Sequence, residues 1–168
     1  MDTNNFTCEY YWRILQSNIE FVKFSDQKAG SILTVYGVVL PILYSNSSEL
    51  IKLFSTSPVQ LFLGSMSGLC AIISITFSFL CLNPRLSNFN PHSIIFFGQI
   101  AAHKNFRDYI DHSNKIISNE TEFANQIAEQ VYVNAQVASQ KFKNVSWSIR
   151  FFFSFLVVLF LAIINGAI

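Results

Sequence analysis

Charge is what this sequence has least of. Asp, Glu, Lys and Arg make up only 12% of its 168 residues, about half the share carried by a soluble domain. Apolar residues reach 51%, 18 of them Phe, and a chain this size has too little polar surface to keep them all from water. Net charge is only +1, its placement matters more than its sum, and no DNA or RNA polymer is expected as a partner. Cysteine is sparse as well. Cys70 and Cys81 share one apolar run, where eleven helical residues separate them by about 16 Å, too far for a disulfide. They and Cys8 read as structural thiols in a reducing or lipid setting. The first 28 residues carry Asp2, Glu9, Arg13, Glu20, Lys23, Asp26 and Lys28. They contain no short apolar core followed by a small-residue cleavage site, so no secretory signal is expected.

Catalytic signatures are missing too. There is no Gly-rich phosphate loop, no Cys-x-x-Cys and no His-Glu-x-x-His, the arrangements that would announce phosphate, redox or zinc chemistry. His92, His103 and His112 are well separated. The nine-residue step from His103 to His112 would put them on opposed sides of one straight helix. The sequence therefore predicts no enzyme, no cofactor and no metal site. No internal repeat or low-complexity tract appears, and no strand pattern is persuasive.

What the chain does have is three long apolar runs. The first, 29–44, begins at a sharp line: Asp26-Gln27-Lys28 gives way to AGSILTVYGVVLPILY, and no charge follows until Glu49. A soluble helix alternates faces, whereas a membrane helix changes solvent at one point along its axis. Sixteen residues cover about 24 Å, and Lys28 can snorkel to make up the rest of the hydrocarbon core. Pro41 lies near the end of the run, where one lost hydrogen bond costs least. The second run is 59–82, with Gln60 its strongly polar residue and Gly64-Ser65-Met66-Ser67-Gly68 a small-xxx-small pattern. Such a pattern allows close helix approach, or simply reflects the tolerance of membrane helices for Gly and Ser. The third run is 151–168, introduced by Trp147 and Arg150, an aromatic and a cation suited to an interface. Of the 11 Lys and Arg, only Lys52 lies in the 45–58 loop; the rest precede the first span or fall between the second and third. The positive-inside rule then puts 1–28 and 83–150 in the cytoplasm, with 45–58 and the C-terminus outside. The expected fold is all-α: an integral membrane protein with three transmembrane helices and a small cytoplasmic helical bundle.

Within the cytoplasmic part, 7–28 reads as a helix without Gly or Pro, able to run straight into the first span. Ile95, Phe96, Ile100, Phe106, Tyr109 and Ile110 recur at helical spacing. Ser118 to Glu122 forms a turn and an acidic helix start. From Glu122 a helix runs toward the last span, with Phe123, Ile127, Val131, Ala138, Phe142 and Val145 as its core stripe. The same helix carries Gln126, Gln130, Asn134 and Gln140, either a solvated face or amides that bond a neighbouring helix or a ligand. Arg85, Lys104 and Arg107 can attract an anion, and Arg can hold a phosphate with two parallel bonds. Phe106 and Tyr109 can stack on a base. The plainer reading of the same residues is a basic fringe at the inner leaflet with core aromatics.

The junction Phe24-Ser25-Asp26-Gln27-Lys28-Ala29-Gly30, followed by Ile32-Leu33 and a span, resembles the entry to the first membrane helix of bacterial Pycsar transmembrane effectors. Further pieces match in order: Pro84-Arg85 after the second span, Phe96-Phe97-Gly98-Gln99-Ile100, Tyr109, a helix with Gln126, Ile127 and Gln130, and Lys141 before the last span. The likeness covers nearly the whole chain. It implies an antiphage effector of the bacterial inner membrane that senses cyclic UMP or cyclic CMP made by a partner pyrimidine cyclase. It then impairs the bilayer as a homo-oligomer, leading to abortive infection. The expected ligand-binding residues are Arg85, Lys104, Arg107, Tyr109, Gln126 and Gln130. Asp26, Gln27 and Lys28 sit where cytoplasmic helix meets span and are expected to act as a lever, pairing with neighbouring helices, or else to serve only as an interfacial anchor. The alternatives are a sensor of a cyclic oligonucleotide, a structural membrane subunit without a ligand, and a holin-like toxin. A toxin acting alone would not need the long cytoplasmic segment.

Overall fold

The computed structural model describes residues 3–83 and 93–167, with side chains from Cys8 to Asn83 and from Ser93 to Gly166. Among the described residues six helices follow in order: α1 (Thr3–Ser45), α2 (Ser47–Phe54), α3 (Pro58–Leu82), α4 (Phe97–Ala102), α5 (Phe106–Ile117) and α6 (Glu120–Ala167). No strand occurs among the described residues. α1, α3 and α6 are each long and apolar enough to cross a membrane, and the protein is an all-α membrane protein. α1 and α6 hold 43 and 48 residues, or about 65 and 72 Å, so each is roughly twice as long as a hydrocarbon core is thick.

Side-chain burial follows a step of three and four along all three long helices. In α1 the least exposed positions include Leu15, Ser25, Ala29, Ile32 and Tyr36; in α6 they include Ile127, Gln130, Lys141, Val145, Ser148, Phe155 and Ala162. In α3 the same step picks out Gln60, Gly64, Ser67, Ala71, Ser74, Ser78 and Cys81. A repeat of 3.5 residues keeps one seam facing its neighbours. The α3 seam is made of small and polar groups, while Leu61, Phe62, Leu69, Ile72 and Phe79 are at least half exposed on its other side. In lipid that exposure is the expected outward face.

Local signals set the helix starts. Ser57 accepts from Gln60 N–H (3.2 Å) with Pro58 in the first turn of α3. Asn105 accepts from Asp108 N–H (2.9 Å) at α5, and Asn119 from Glu122 N–H (3.3 Å) ahead of α6. Each side chain satisfies a donor that the first helical turn leaves open.

The chain forms two compact units, one of Met1–Lys23 with Arg85–Ser139, the other of Phe24–Pro84 with Gln140–Ile168. In the second, Ile32, Tyr36, Cys70, Ala71 and Phe155 form one core cluster, and Ala29, Cys81 and Val145 another. Tyr36 packs edge-on against Phe152 and tilted against Phe155, at 5.4 and 5.5 Å between ring centres. Lipid tails are as apolar as these side chains, so close packing and hydrogen bonds hold the three helices together rather than water exclusion. In the first unit Leu15, Ile94, Ile116 and Ile127 are the buried apolar residues.

Three expectations need correction. Residues 95–110 are not one helix: His103 has φ −65° and ψ 141°, and Asn105 starts a new helix there. His103 and His112 are therefore not opposed but lie 5.5 Å apart, ring to ring. Phe142 is 60% exposed and does not belong to the α6 stripe, because Lys141 occupies that seam position.

Candidate functional site

In the first unit, two of the sequence-selected residues clamp one stretch of backbone. The Gln126 side-chain oxygen accepts from Ile94 N–H (3.1 Å), and Tyr109 Oη donates to the Ile94 carbonyl (3.4 Å). Ser93 Oγ accepts from Ile95 N–H at 3.2 Å. The segment leading into α4 is thus tied to α5 and α6. At the α4–α5 corner, Asp108 Oδ2 sits 3.2 Å from His103 Nδ1 and accepts from Lys104 N–H (3.4 Å). The His103 contact, with the Lys104 amide second, holds the Asp108 carboxyl below its usual range. His103 also lies edge-on to Tyr109, at 5.5 Å between centres.

Lys104 and Arg107 are exposed, free to meet an anion from solution. Gln130 is 3% exposed, and its amide nitrogen has no hydrogen-bond partner among the described residues. Its backbone carbonyl takes the Asn134 amide at 2.9 Å. Arg85 lies outside the described residues, as do Pro84 and His92. Among the described candidates, Tyr109 and Gln126 meet at the Ile94 backbone.

An open groove that sequence reasoning missed lies between α1 and α6 in the same unit. It has a volume of about 410 Å³ and is lined by Cys8, Glu9, Trp12, Phe123 and Ile127. Trp12 and Phe123 supply flat apolar faces, and Glu9 supplies a carboxylate now held by Arg13 at 2.6 Å. Nearby, Asn18 Nδ2 donates to the Val131 carbonyl (3.2 Å), joining α1 to α6. The signal in the sequence was Trp12, a large aromatic between the charged residues Glu9 and Arg13.

In the second unit, the charged junction makes a cross-helix contact. Lys141 Nζ pairs with Asp26 Oδ1 at 2.5 Å; the Lys141 side chain is 5% exposed and that of Asp26 36%. Burial of an ammonium is tolerable here because a carboxylate faces it. Cys81 Sγ donates to the Ser25 carbonyl (3.6 Å), and Asn144 Nδ2 to the Leu80 carbonyl (3.1 Å). Asp26 therefore reaches a neighbouring helix. Lys28 instead stands over the Phe24 ring of its own helix, at 5.3 Å from its centre. Gln27 and Lys28 line an open groove of about 440 Å³ with Ile32, Ile149, Phe152 and Phe153. The Gly64–Gly68 pattern is divided in its use: a Cβ at Gly64 would meet the Phe54 ring at 2.9 Å, while at Gly68 it would meet nothing.

No group of three or more His, Cys, Asp or Glu placed to hold a metal occurs among the described residues. Comparison with known proteins gives two findings. The family model of the PycTM domain, described as a Pycsar effector protein domain, matches residues 10–166. The Pycsar effector protein PtPycTM of Propioniciclava tarda is 28% identical over 139 residues, covering 78% of this chain and 66% of that protein. The chain thus spans just under two thirds of the length of that relative. No solved structure matches.

Proposed function

The chain belongs to the PycTM family of Pycsar effector proteins, and from this we propose that it is a ligand-gated antiphage effector without catalytic activity. In this reading a partner pyrimidine cyclase makes cyclic UMP or cyclic CMP on infection. The nucleotide binds the unit formed by Met1–Lys23 and Arg85–Ser139, and several copies rearrange to breach the bacterial inner membrane. The infected cell stops growing before phage matures. Residues 1–28 and 83–150 face the cytoplasm, where the nucleotide is made.

The observation that carries the proposal is the continuity of α1 and α6. Each begins in the first unit and ends in the second without a break in its helix. A ligand that prefers one arrangement of two such rods shifts an equilibrium, and a rigid helix carries the shift along its length. The groove beside Trp12 and Phe123 is our preferred binding place. Base stacking on the two rings accounts for affinity, and Glu9 accepts an N–H of the base. Arg13, released from Glu9, meets the cyclic phosphate, with Arg85, Lys104 and Arg107 drawing the anion in. Tyr109 and Gln126 hold the backbone at Ile94 rather than the ligand, and the Gln130 amide stays a candidate ligand contact. At the junction, the Asp26–Lys141 pair holds the closed arrangement, and Gln27 and Lys28 anchor it at the interface.

Calorimetry of the detergent-solubilised chain tests the sensing step. Cyclic UMP or cyclic CMP should bind, and Trp12→Ala should weaken the binding. If neither nucleotide releases heat while a cyclic oligonucleotide does, the ligand class is wrong. If none binds, the chain is not a nucleotide sensor.

A further inference from the structure

We propose that the seam of α3 is the surface that meets water when the membrane is breached; this rests on the effector reading above and names the face that does the work. α3 meets its neighbours through small and polar groups. Its bulky groups point outward, and its inward seam carries Gln60, Ser67, Ser74 and Ser78. Between Gln60 and Cys81 the seam is about 32 Å long, which matches the thickness of the hydrocarbon core.

Two separate features distinguish it from ordinary helix glue. The first is Gln60. It is 2% exposed, and neither its amide oxygen nor its amide nitrogen has a hydrogen-bond partner among the described residues. The nitrogen fills the space above Gly166 of α6, 2.9 Å from where a Cβ there would stand. A primary amide in that position wants partners that the closed arrangement does not give it, and water supplies them. The second is a cluster of three serines with no exposed surface. Ser74 Oγ donates to the Ser148 carbonyl (2.9 Å), Ser148 Oγ to the Ser74 carbonyl (2.9 Å), and Ser78 Oγ lies 2.6 Å from Ser148 Oγ. These bonds are satisfied when α3 and α6 touch, and water can replace every one when they part. An apolar seam would have no such second state.

The open form is therefore a water-lined path with no fixed charge along its length. The Asp26–Lys141 pair, in the same unit as Cys81 and its Ser25 partner, lies toward the seam's Cys81 end. Such a path passes small hydrated ions with little preference for sign. Lipid-facing residues such as Leu69 keep their place in both forms.

The test uses the full chain in vesicles of bacterial polar lipid loaded with a small dye. Ser78→Asp should leak with no nucleotide present, because a carboxylate on the seam favours the wet arrangement; Leu69→Asp, on the outer face, should not. Ser67→Asn repeats the comparison with a milder change if Ser78→Asp does not fold. In a chain freed of native thiols (Cys8→Ser, Cys70→Ala, Cys81→Ala), a cationic, membrane-impermeant methanethiosulfonate should abolish the leak from Ser74→Cys and leave Leu69→Cys unaffected. The leak is driven by cyclic UMP, by cyclic CMP, or by Ser78→Asp alone. Equal leak from seam and outer-face variants, or a Ser74→Cys leak indifferent to the reagent, overturns the proposal. Seam variants that leak and are blocked, in a chain that neither nucleotide opens, uphold the lining and refute the sensing reading instead.

Discussion

Replacing Asp26 by Ala removes the carboxylate that pairs with Lys141, and the structure makes the two halves of this pair unequal. The Lys141 side chain is 5% exposed and Asp26 is 36% exposed. Loss of Asp26 strands a buried cation, whereas Lys141→Met leaves a carboxylate that already reaches solvent. Removing the partner of a buried charge costs up to about 3–5 kcal/mol, and less when the charge left behind already reaches solvent. The double variant Asp26→Leu/Lys141→Met strands nothing and should be close to neutral. If the pair holds the closed arrangement, a loss of about 3 kcal/mol shifts the closed-to-open ratio by roughly a hundredfold. Dye-loaded vesicles should then leak without nucleotide for Asp26→Ala, and less so for Lys141→Met. Melting of the detergent-solubilised chain should rank the variants in the same order. Unchanged resting leak and unchanged melting in Asp26→Ala would refute the reasoning, as would a double variant worse than either single one.

Four further outcomes follow from the geometry. Phe123→Ala should weaken nucleotide binding by about 1–3 kcal/mol, the worth of a stacked base, as measured by calorimetry. Asn105→Ala removes the cap that takes Asp108 N–H and should cost about 1 kcal/mol, read as faster amide exchange in the first turn of α5. Asp108 is held below the usual carboxylate range by His103, so its contribution is present above that range and fades as pH falls through the lowered value. Protection at the α4–α5 corner should fall on acidification, and Asp108→Asn should remove that dependence. Gly64→Leu should displace Phe54 and lower the melting temperature, while Gly68→Leu, with open space beside it, should be tolerated.

The membrane helices were legible because solvent changes at Lys28-Ala29 and charge nearly vanishes from three runs. The same reading missed α2, because eight residues, Ser47–Phe54, are too few to show a period against loop composition. It also ran past the break at His103, although Asn105 followed three residues later by Asp108 is a helix-start signal. The junction pair was half visible. Asp26 stood out at the solvent boundary and Lys141 as a residue of the resemblance, but nothing local joined the two. Following the 3.5-residue step along α6 would have put Lys141 on the seam, since it interrupts a register otherwise held by groups such as Ile127, Val145 and Ser148. The groove at Trp12 and Phe123 depends on residues more than a hundred positions apart, and no local pattern brings those together.

The most direct test of the account is dye release from vesicles holding the intact chain when cyclic UMP or cyclic CMP is added outside and the first unit faces outward. The account predicts prompt release with at least one of the two nucleotides and none with the linear monophosphate. Vesicles that stay tight to both, while the same preparation binds nucleotide by calorimetry, would contradict the link between sensing unit and bilayer.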